Sequence, residues 1–201
     1  MSENKRKKIK KRILTGLIVV MICVVQGFSL EWQANLSYGN YAKADDYLEE
    51  FYDKIGGMPG VGASLFFNKK IGLFMDAHFV STSGRSTYDN KILEYSERHI
   101  SAGLQYRLTI YRLSPVMKIN LYFKGGGLFL HYSETFDEKI SKTKPGFCFG
   151  GGILFRLKKA GVGFEAVKHL AYEEVEIQGL DTIEKVDFSG FRFSLKALYT
   201  F

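Results

Sequence analysis

The sequence has only two cysteines and three prolines in 201 residues, and only one continuous apolar run, Ile13–Val25. That run is shorter than the roughly 20 apolar residues that a membrane-spanning helix needs, which argues against a helical membrane protein. The chain is also not poor enough in hydrophobic side chains to be disordered, because 46% of its residues are hydrophobic and 15% are aromatic. Many aromatics and 21 glycines beside few prolines favour β-strands.

Little net positive charge lies outside the N-terminus. The first twelve residues carry seven basic side chains and Glu3, which accounts for +6 of the net charge of +7, so the rest of the chain carries +1. A body this close to neutral offers no basic surface for nucleic acid. We therefore expect no nucleic-acid partner.

Residues 1–29 have the three parts of a secretory signal peptide. A basic segment precedes the apolar run, and small residues at Gly27 and Ser29 fit cleavage after Ser29. The alternatives are an uncleaved anchor helix and a lipoprotein site at Cys23, which the bulky Ile22 disfavours. Cleavage leaves Cys148 as the sole cysteine of the predicted domain at 30–201, so no disulfide forms within it.

From residue 31 onward the dominant pattern is alternation with period two, typical of strands with two different faces. It is clearest at the end of the chain, where large apolar residues alternate with glycine and polar residues and Leu198 is the only apolar exception. Seven earlier segments, which begin near residues 32, 61, 71, 100, 117, 147 and 162, repeat it. The sequence therefore predicts eight strands.

The apolar face continues around all eight strands, whereas the other face is rich in Gly, Ser, Asn and Gln. A soluble barrel would need large apolar residues inside and a water-compatible face outside. Because few residues of the second face can fill space, we predict the reverse arrangement, with lipid outside and polar side chains inside. The predicted fold is all-β: an eight-stranded antiparallel up-and-down transmembrane β-barrel.

The connections between the predicted strands alternate in length. They are long at 42–58, 82–97, 133–144 and 169–187, and short at 68–70, 109–115 and 157–161. Membrane barrels have short periplasmic turns and long external loops, so this alternation places both termini in the periplasm. Within the first long connection, the apolar spacing of residues 44–54 predicts a short helix.

The last strand carries the most specific pattern. A terminal Phe with an apolar or aromatic residue at every second position resembles the assembly signal of the small outer-membrane β-barrel family of OmpA/OmpX-like, eight-stranded proteins. The residues of this signal are Phe191, Phe193, Leu195, Ala197, Tyr199 and Phe201. The resemblance implies an outer-membrane location, contact with outer-membrane lipid and lipopolysaccharide, insertion by the barrel-insertion machinery, and no cofactor.

Charged and amide side chains fall on the predicted inward face. Buried charges require partners or water, so we expect a salt-bridged plug, with a narrow anion-attracting pore as the alternative. Counting outward from the connection at 169–187 places Glu165 close to opposite Arg192, with both on the inward face. The predicted lumen cluster comprises Asp76, Gln105, Arg107, Lys118, Glu165, Arg192 and Lys196, with Lys124 and Arg156 also inward.

Patterns of catalytic or metal-binding residues are weak. The four histidines lack metal-ligand spacing, and the glycine triplets at 125–127 and 150–152 lie within strands instead of preceding a helix. The run from His131 to Ser133 and Glu134 resembles the His-x-Ser arrangement of lipid A deacylases, but no second motif supports it. The favoured hypothesis is a non-enzymatic barrel whose four long loops serve envelope structure or ligand binding. The alternatives are a lipid A-modifying enzyme that uses His131 and Ser133, and a narrow small-solute channel.

Overall fold

The computed structural model describes residues 30–43, 57–85, 92–135, 139–177, 182–187 and 189–201. The predicted signal peptide at 1–29 and the predicted helix at 44–54 lie outside the described residues. Within the described part no helix is long and apolar enough to cross a membrane. The strands are β1 (Glu31–Lys43), β2 (Met58–Phe66), β3 (Ile71–Arg85), β4 (Ile92–Arg112), β5 (Met117–Thr135), β6 (Lys139–Leu157), β7 (Ala160–Leu170), β8 (Tyr172–Ile177), β9 (Thr182–Asp187) and β10 (Gly190–Thr200).

Eight of these strands close into a barrel. Strands β1 to β7 pair in sequence order, and β10 pairs with both β7 and β1, every pair being antiparallel. Strands β8 and β9 form a separate two-stranded hairpin within the connection from β7 to β10. The predicted eight-stranded antiparallel up-and-down barrel is confirmed.

Several strands extend further than the sequence pattern predicts. Segments 82–97 and 133–144, predicted as loops, are largely paired: β3 and β4 remain in register to Arg85 and Ile92, and β5 and β6 to Thr135 and Lys139. The connection predicted at 169–187 is likewise partly a hairpin. Pairing there depends on backbone hydrogen bonds and needs no apolar face, so alternation does not reveal it.

The barrel has two unlike ends. The short connections 67–70, 113–116 and 158–159 meet at one end, together with Leu30 and Phe201, and we call this the turn end. At the other end, called the loop end, β1 connects to β2, β3 to β4, β5 to β6, and β7 to β10. The four connections that were predicted as long all lie at the loop end, but the one between β5 and β6 spans only residues 136–138 and is shorter than two of the three turns at the other end.

The outer face is apolar and exposed over most of its height. Leu104 is 63% exposed and Leu195 is 57% exposed, whereas the inward Lys124 is only 5% exposed. Toward the loop end the outer face changes character: Ala77, Ile100 and Phe129 form the last mainly apolar row across β3, β4 and β5. The next rows across β3 to β6 contain Phe79, Arg98, His131 and Thr143, then Ser81, Ser96, Ser133 and Ser141.

The lumen is not purely polar. Large apolar side chains also point inward and are buried, contrary to the expectation that few inward residues fill space. Glycine in the wall makes room for some of them; at Gly152 a Cβ atom would come within 2.9 Å of the Tyr122 hydroxyl. The buried apolar residues include Met58, Phe66, Phe74, Leu128, Leu130, Leu154, Val167 and Leu198.

Candidate functional site: the lumen of the barrel

Glu165 on β7 is the centre of the largest ionic cluster, at mid-height in the lumen. Its Oε2 atom lies 2.8 Å from Lys124 Nζ and 3.0 Å from Lys196 Nζ, and it accepts a hydrogen bond of 2.9 Å from the Tyr122 hydroxyl. Its Oε1 atom accepts from the Arg192 guanidinium. Because Glu165 is only 3% exposed, these partners replace the water that a carboxylate otherwise needs.

Asp76 on β3 is the second carboxylate of this cluster. Its Oδ2 atom lies 2.7 Å from Lys124 Nζ, and its Oδ1 atom lies 4.0 Å from Lys196 Nζ. The Asn35 amide donates to Oδ1 at 3.4 Å. Two carboxylates and three cations therefore join β3, β5, β7 and β10 across the lumen.

His78 extends the cluster toward the loop end. The Arg192 guanidinium, which can only donate, lies 2.6 Å from His78 Nδ1, so that nitrogen accepts. The proton of the neutral ring is then on Nε2, which donates to Ser37 Oγ at 3.1 Å. His78 therefore links the ionic cluster to β1.

A second network of buried hydrogen-bonding groups lies nearer the loop end. Glu97 accepts from the Tyr95 hydroxyl and, at 2.7 Å, from His99 Nε2. His99 Nδ1 then faces His169 Nδ1 at 2.9 Å, which is a hydrogen bond only if one of these two nitrogens carries a proton and the other does not. The edge of the Tyr41 ring packs against His99, with centroids 5.0 Å apart. This second network connects β4 to β7.

A third cluster closes the turn end. Glu31, the first residue of β1, lies 2.8 Å from the Arg107 guanidinium and 2.9 Å from that of Arg156. Arg107 also donates to the backbone carbonyl of Lys69, and Arg156 donates to that of Lys158. This turn-end cluster therefore holds two of the short turns as well as the start of β1.

Most of the predicted lumen residues point inward, but they do not form one cluster. Asp76, Glu165, Arg192 and Lys196 meet at mid-height, whereas Arg107 belongs to the turn-end cluster. Gln105 accepts from Ser64 at 3.2 Å. Lys118 is half-buried opposite Arg112 and Arg156, and it joins neither cluster among the described residues.

The predicted ion pair of Glu165 with Arg192 is present, but the two residues are not directly opposite each other. Arg192 lies opposite Val167, and Glu165 lies opposite Ser194, so the two charged side chains meet diagonally. Their length and flexibility allow a contact across that offset.

Sequence reasoning left Glu31, Tyr122 and three of the histidines out of the candidate site. Glu31 has the same inward parity as Gln33, and Tyr122 the same as Lys124, so extending the alternation would have found both. Most contacts of these histidines join residues far apart in sequence, such as His99 with His169, and no local pattern reports them.

The predicted assembly signal lies on the outer face of β10. Its members are exposed, and Phe191 and Phe193 stack with ring centroids 6.1 Å apart. Tyr199 and Phe201 make an edge-on contact at 5.2 Å near the turn end. The last strand therefore presents a continuous apolar surface, while the recognition of this pattern during assembly stays a prediction.

The geometry around His131 does not support a catalytic pair with Ser133. His131 Nδ1 lies 2.9 Å from Thr143 Oγ1, and Nε2 lies 3.3 Å from Ser141 Oγ, so both ring nitrogens contact β6. The Glu134 side chain lies outside the described residues. In the part of the chain that the structure describes, no group of three or more His, Cys, Asp or Glu side chains could hold a metal ion.

The lumen contains a small void near its turn end. A void of about 10 Å³ lies between Gln33, Ser64 and Gln105 near the turn end, with Leu154 and Leu198 beside it. That volume holds one water molecule at most.

No family model and no curated protein sequence matches this chain. Among solved structures, it is similar to Neisserial surface protein A, with a TM-score of 0.60, 11% identity, and coverage of 88% of this chain and 100% of that one. It is also similar to Ail of Yersinia pestis, with a TM-score of 0.51, 15% identity, and coverage of 86% and 99%. The N-terminal barrel of Pseudomonas aeruginosa OprF gives a TM-score of 0.52, 6% identity, and coverage of 87% and 99%.

These similarities extend over nearly the whole of each barrel, but the identities are low. They show that the chain has the fold of the small eight-stranded outer-membrane β-barrels. The predicted family resemblance is therefore confirmed at the level of the fold.

Proposed function

We propose that this chain is a non-enzymatic outer-membrane β-barrel protein with a plugged lumen, which contributes to the envelope or binds ligands at its surface. The observation that carries this proposal is the combination of an exposed apolar outer face with a lumen in which Glu165 and Asp76 face three cations. Lipid suits such an outer face, and paired charges suit such an interior.

The orientation follows from the two ends of the barrel. The turn end and both ends of the domain lie in the periplasm, and the four connections of the loop end face the outside, where they meet lipopolysaccharide and other surface ligands. Residues 1–29 direct export, and the barrel-insertion machinery recognises the strand from Phe191 to Phe201. Short turns on the periplasmic side and longer loops outside are the general rule for such barrels.

Membrane fractionation with heat-dependent gel migration tests the proposal. The unheated protein from the outer-membrane fraction should migrate differently from the boiled protein, because a closed barrel resists unfolding by detergent. An epitope inserted at 86–91 should be labelled on intact cells, and the same epitope at 113–116 only after permeabilisation. Recovery of the protein in the soluble fraction, or the reverse labelling, would contradict the proposal.

The filled lumen argues against a conduit. Eight strands enclose room for side chains only, and here large side chains such as Arg192, Tyr122 and Leu128 occupy it. We expect no steady conductance from the purified protein in planar bilayers. Reproducible single-channel steps that disappear when the protein is omitted would reject the plugged lumen.

The engagement of both His131 ring nitrogens with β6 argues against the deacylase alternative. A general base needs a free nitrogen within hydrogen-bond reach of its nucleophile. Incubation of the protein with lipid A should therefore release no acyl chains. Release that the Ser133→Ala variant abolishes would establish the enzyme instead.

A further inference from the structure

We propose that the turn end binds the phosphate groups of anionic phospholipids in the leaflet around it. This inference goes beyond the proposed function and rests on its membrane-embedded barrel. The short turns and the adjoining strand ends present five exposed basic side chains, whereas Glu31 is the only acidic side chain among the described residues of this end. Glu31 is already paired with two inward arginines. The exposed cations are Lys69, Lys70, Arg112, Lys158 and Lys159.

These cations lie at the depth of lipid head groups. Lys70 immediately precedes Ile71, and Lys158 immediately follows Leu157, two apolar residues of the lipid-facing belt that are 46% and 53% exposed. A lysine next to such a belt can extend its apolar stem along the belt and place its ammonium group among the phosphates. The attraction of a lysine or arginine to an anionic membrane surface is greatest at this short range.

The backbone of two turns shows that these lysines are not ordinary turn residues. Lys69 has a φ of 64° and Lys158 has a φ of 51°, in the left-handed region that glycine and asparagine adopt at least cost. Both strained residues lie in connections at the same end of the barrel, and both carry exposed cations. Strained backbone positions often occur at functional sites, so these two lysines are candidates for contact with a ligand.

Neighbouring contacts hold these two positions in place. The carbonyl of Lys69 accepts from Arg107 at 2.9 Å and 3.0 Å, and that of Lys158 accepts from Arg156 at 3.1 Å. Asn68 Oδ1 also accepts from the backbone N–H groups of Lys70 and Ile71. The inward arginines therefore fix the strained backbone, while the exposed lysine side chains are left to meet a ligand.

The sequence of the opposite connections shows that basic turns are not a general property of this chain. The segment that joins β1 to β2 carries five acidic residues and one lysine, and residues 171–189 carry six acidic residues and one lysine. Acidic residues are therefore concentrated at the loop end, where they accompany cations such as Arg98 and Lys168, whereas the exposed cations of the turn end have no acidic neighbour but Glu31 among the described residues. A leaflet that contains anionic phospholipid complements the basic end.

Trp32 is a built-in probe for this site. It is the only tryptophan of the chain and is 55% exposed on the outer face of β1 at the turn end. Strand β1 lies between β2, which leads into the turn of Lys69, and β10, where Thr200 N–H donates to the carbonyl of Lys159 at 2.7 Å. Lipid bound by these lysines therefore contacts Trp32, and lipid with brominated acyl chains quenches its fluorescence.

The experiment compares the full barrel domain in phosphatidylcholine vesicles that contain equal fractions of brominated phosphatidylglycerol or brominated phosphatidylcholine. We expect stronger quenching by the phosphatidylglycerol at low ionic strength, and loss of the difference in 0.5 M salt. Each lysine at an anionic surface is worth about fivefold in affinity, so the Lys69→Asn/Lys158→Asn double variant should lose at least fivefold of the preference.

Two matched variants separate a lipid site from a structural role. The Lys69→Asn/Lys158→Asn variant relaxes the backbone and should unfold at higher urea concentration while it loses the lipid preference. Lys69→Arg/Lys158→Arg should restore the preference without that gain in stability. The Arg98→Gln/Lys168→Gln variant removes two cations near the loop end and should leave Trp32 quenching unchanged.

The experiment distinguishes failure of the anionic-lipid site from failure of the proposed membrane barrel. Equal quenching by both lipids at low salt, or an asparagine variant with the full preference, overturns the anionic-lipid site and leaves the membrane barrel standing. Absence of quenching by either brominated lipid places Trp32 away from lipid and overturns the proposed membrane barrel as well.

Discussion

Replacing Glu165 by glutamine removes one of the two carboxylates that face three cations in the lumen. In the wild type, Lys124 Nζ and Lys196 Nζ lie 2.8 Å and 3.0 Å from Glu165, and Arg192 also contacts it. In the variant these three cations face Asp76 alone, in a site where every member is at least 90% buried.

The expected loss of stability follows from that imbalance. Breaking a buried ion pair by removing one partner costs about 3–5 kcal/mol, because the other charge is left without compensation. The amide oxygen of glutamine still accepts a hydrogen bond from one neighbour, so we expect the lower end of the range, about 3 kcal/mol. Arg192→Gln removes one of the excess cations, so the double variant should be less destabilised than the sum of the single variants by about 1–2 kcal/mol.

Urea unfolding in lipid vesicles, followed by Trp32 fluorescence and by heat-dependent gel migration, measures these values. Glu94→Gln is the matched control, since it makes the same chemical change at an exposed side chain and should stay within about 0.5 kcal/mol of the wild type. A loss below about 1 kcal/mol for Glu165→Gln would refute the reasoning. Additivity of the two single variants would also refute it.

Three further predictions concern the wall of the barrel. Leu104→Arg or Leu195→Arg should lower the free energy of unfolding by about 2–4 kcal/mol in the same assay, because both side chains face lipid. Ser96→Arg lies further along the outer face of β4 and should be nearly neutral. Equal losses at these positions would contradict a lipid-facing belt. Tyr199→Ser/Phe201→Ser should leave the protein exported but poorly inserted, and normal outer-membrane levels would count against the assembly signal. Gly126→Ala should destabilise the barrel by about 1–3 kcal/mol, because the new Cβ atom would collide with the Ala102 carbonyl. At Gly127 a Cβ atom would meet open space, so Gly127→Ala should be tolerated. Similar unfolding midpoints for the two variants would contradict this packing.

Alternation predicted the fold well because a membrane barrel imposes opposite chemistry on the two faces of every strand. It placed Leu195 outside and Arg192 inside, and in the structure Leu195 is exposed on the outer face while Arg192 is buried in the lumen. The same rule was silent beyond the apolar belt, where Ser96 and Ser133 are paired on a polar outer face. The extended hairpins were therefore predicted as loops.

The sequence identified many residues of the candidate site but not how their side chains contact one another. Inward parity identified Asp76 and Glu165, since parity requires only a count along one strand. The offset between neighbouring strands requires the true ends of each connection, and the hairpin of β8 and β9 lies within the connection from which Arg192 was counted. Parity is a local property, whereas register depends on the whole barrel.

The contacts of Glu31 anchor the first strand of the barrel differently from the last strand. A pull on the chain that precedes β1 meets the ion pairs of Glu31 with Arg107 and Arg156 at the first step of peeling, because Glu31 is the first residue of the strand. A pull at Phe201 first meets the backbone hydrogen bond of 3.0 Å from its N–H group to the Trp32 carbonyl. Peeling of β1 therefore begins with ion pairs as well as backbone hydrogen bonds, whereas peeling of β10 begins with a backbone hydrogen bond.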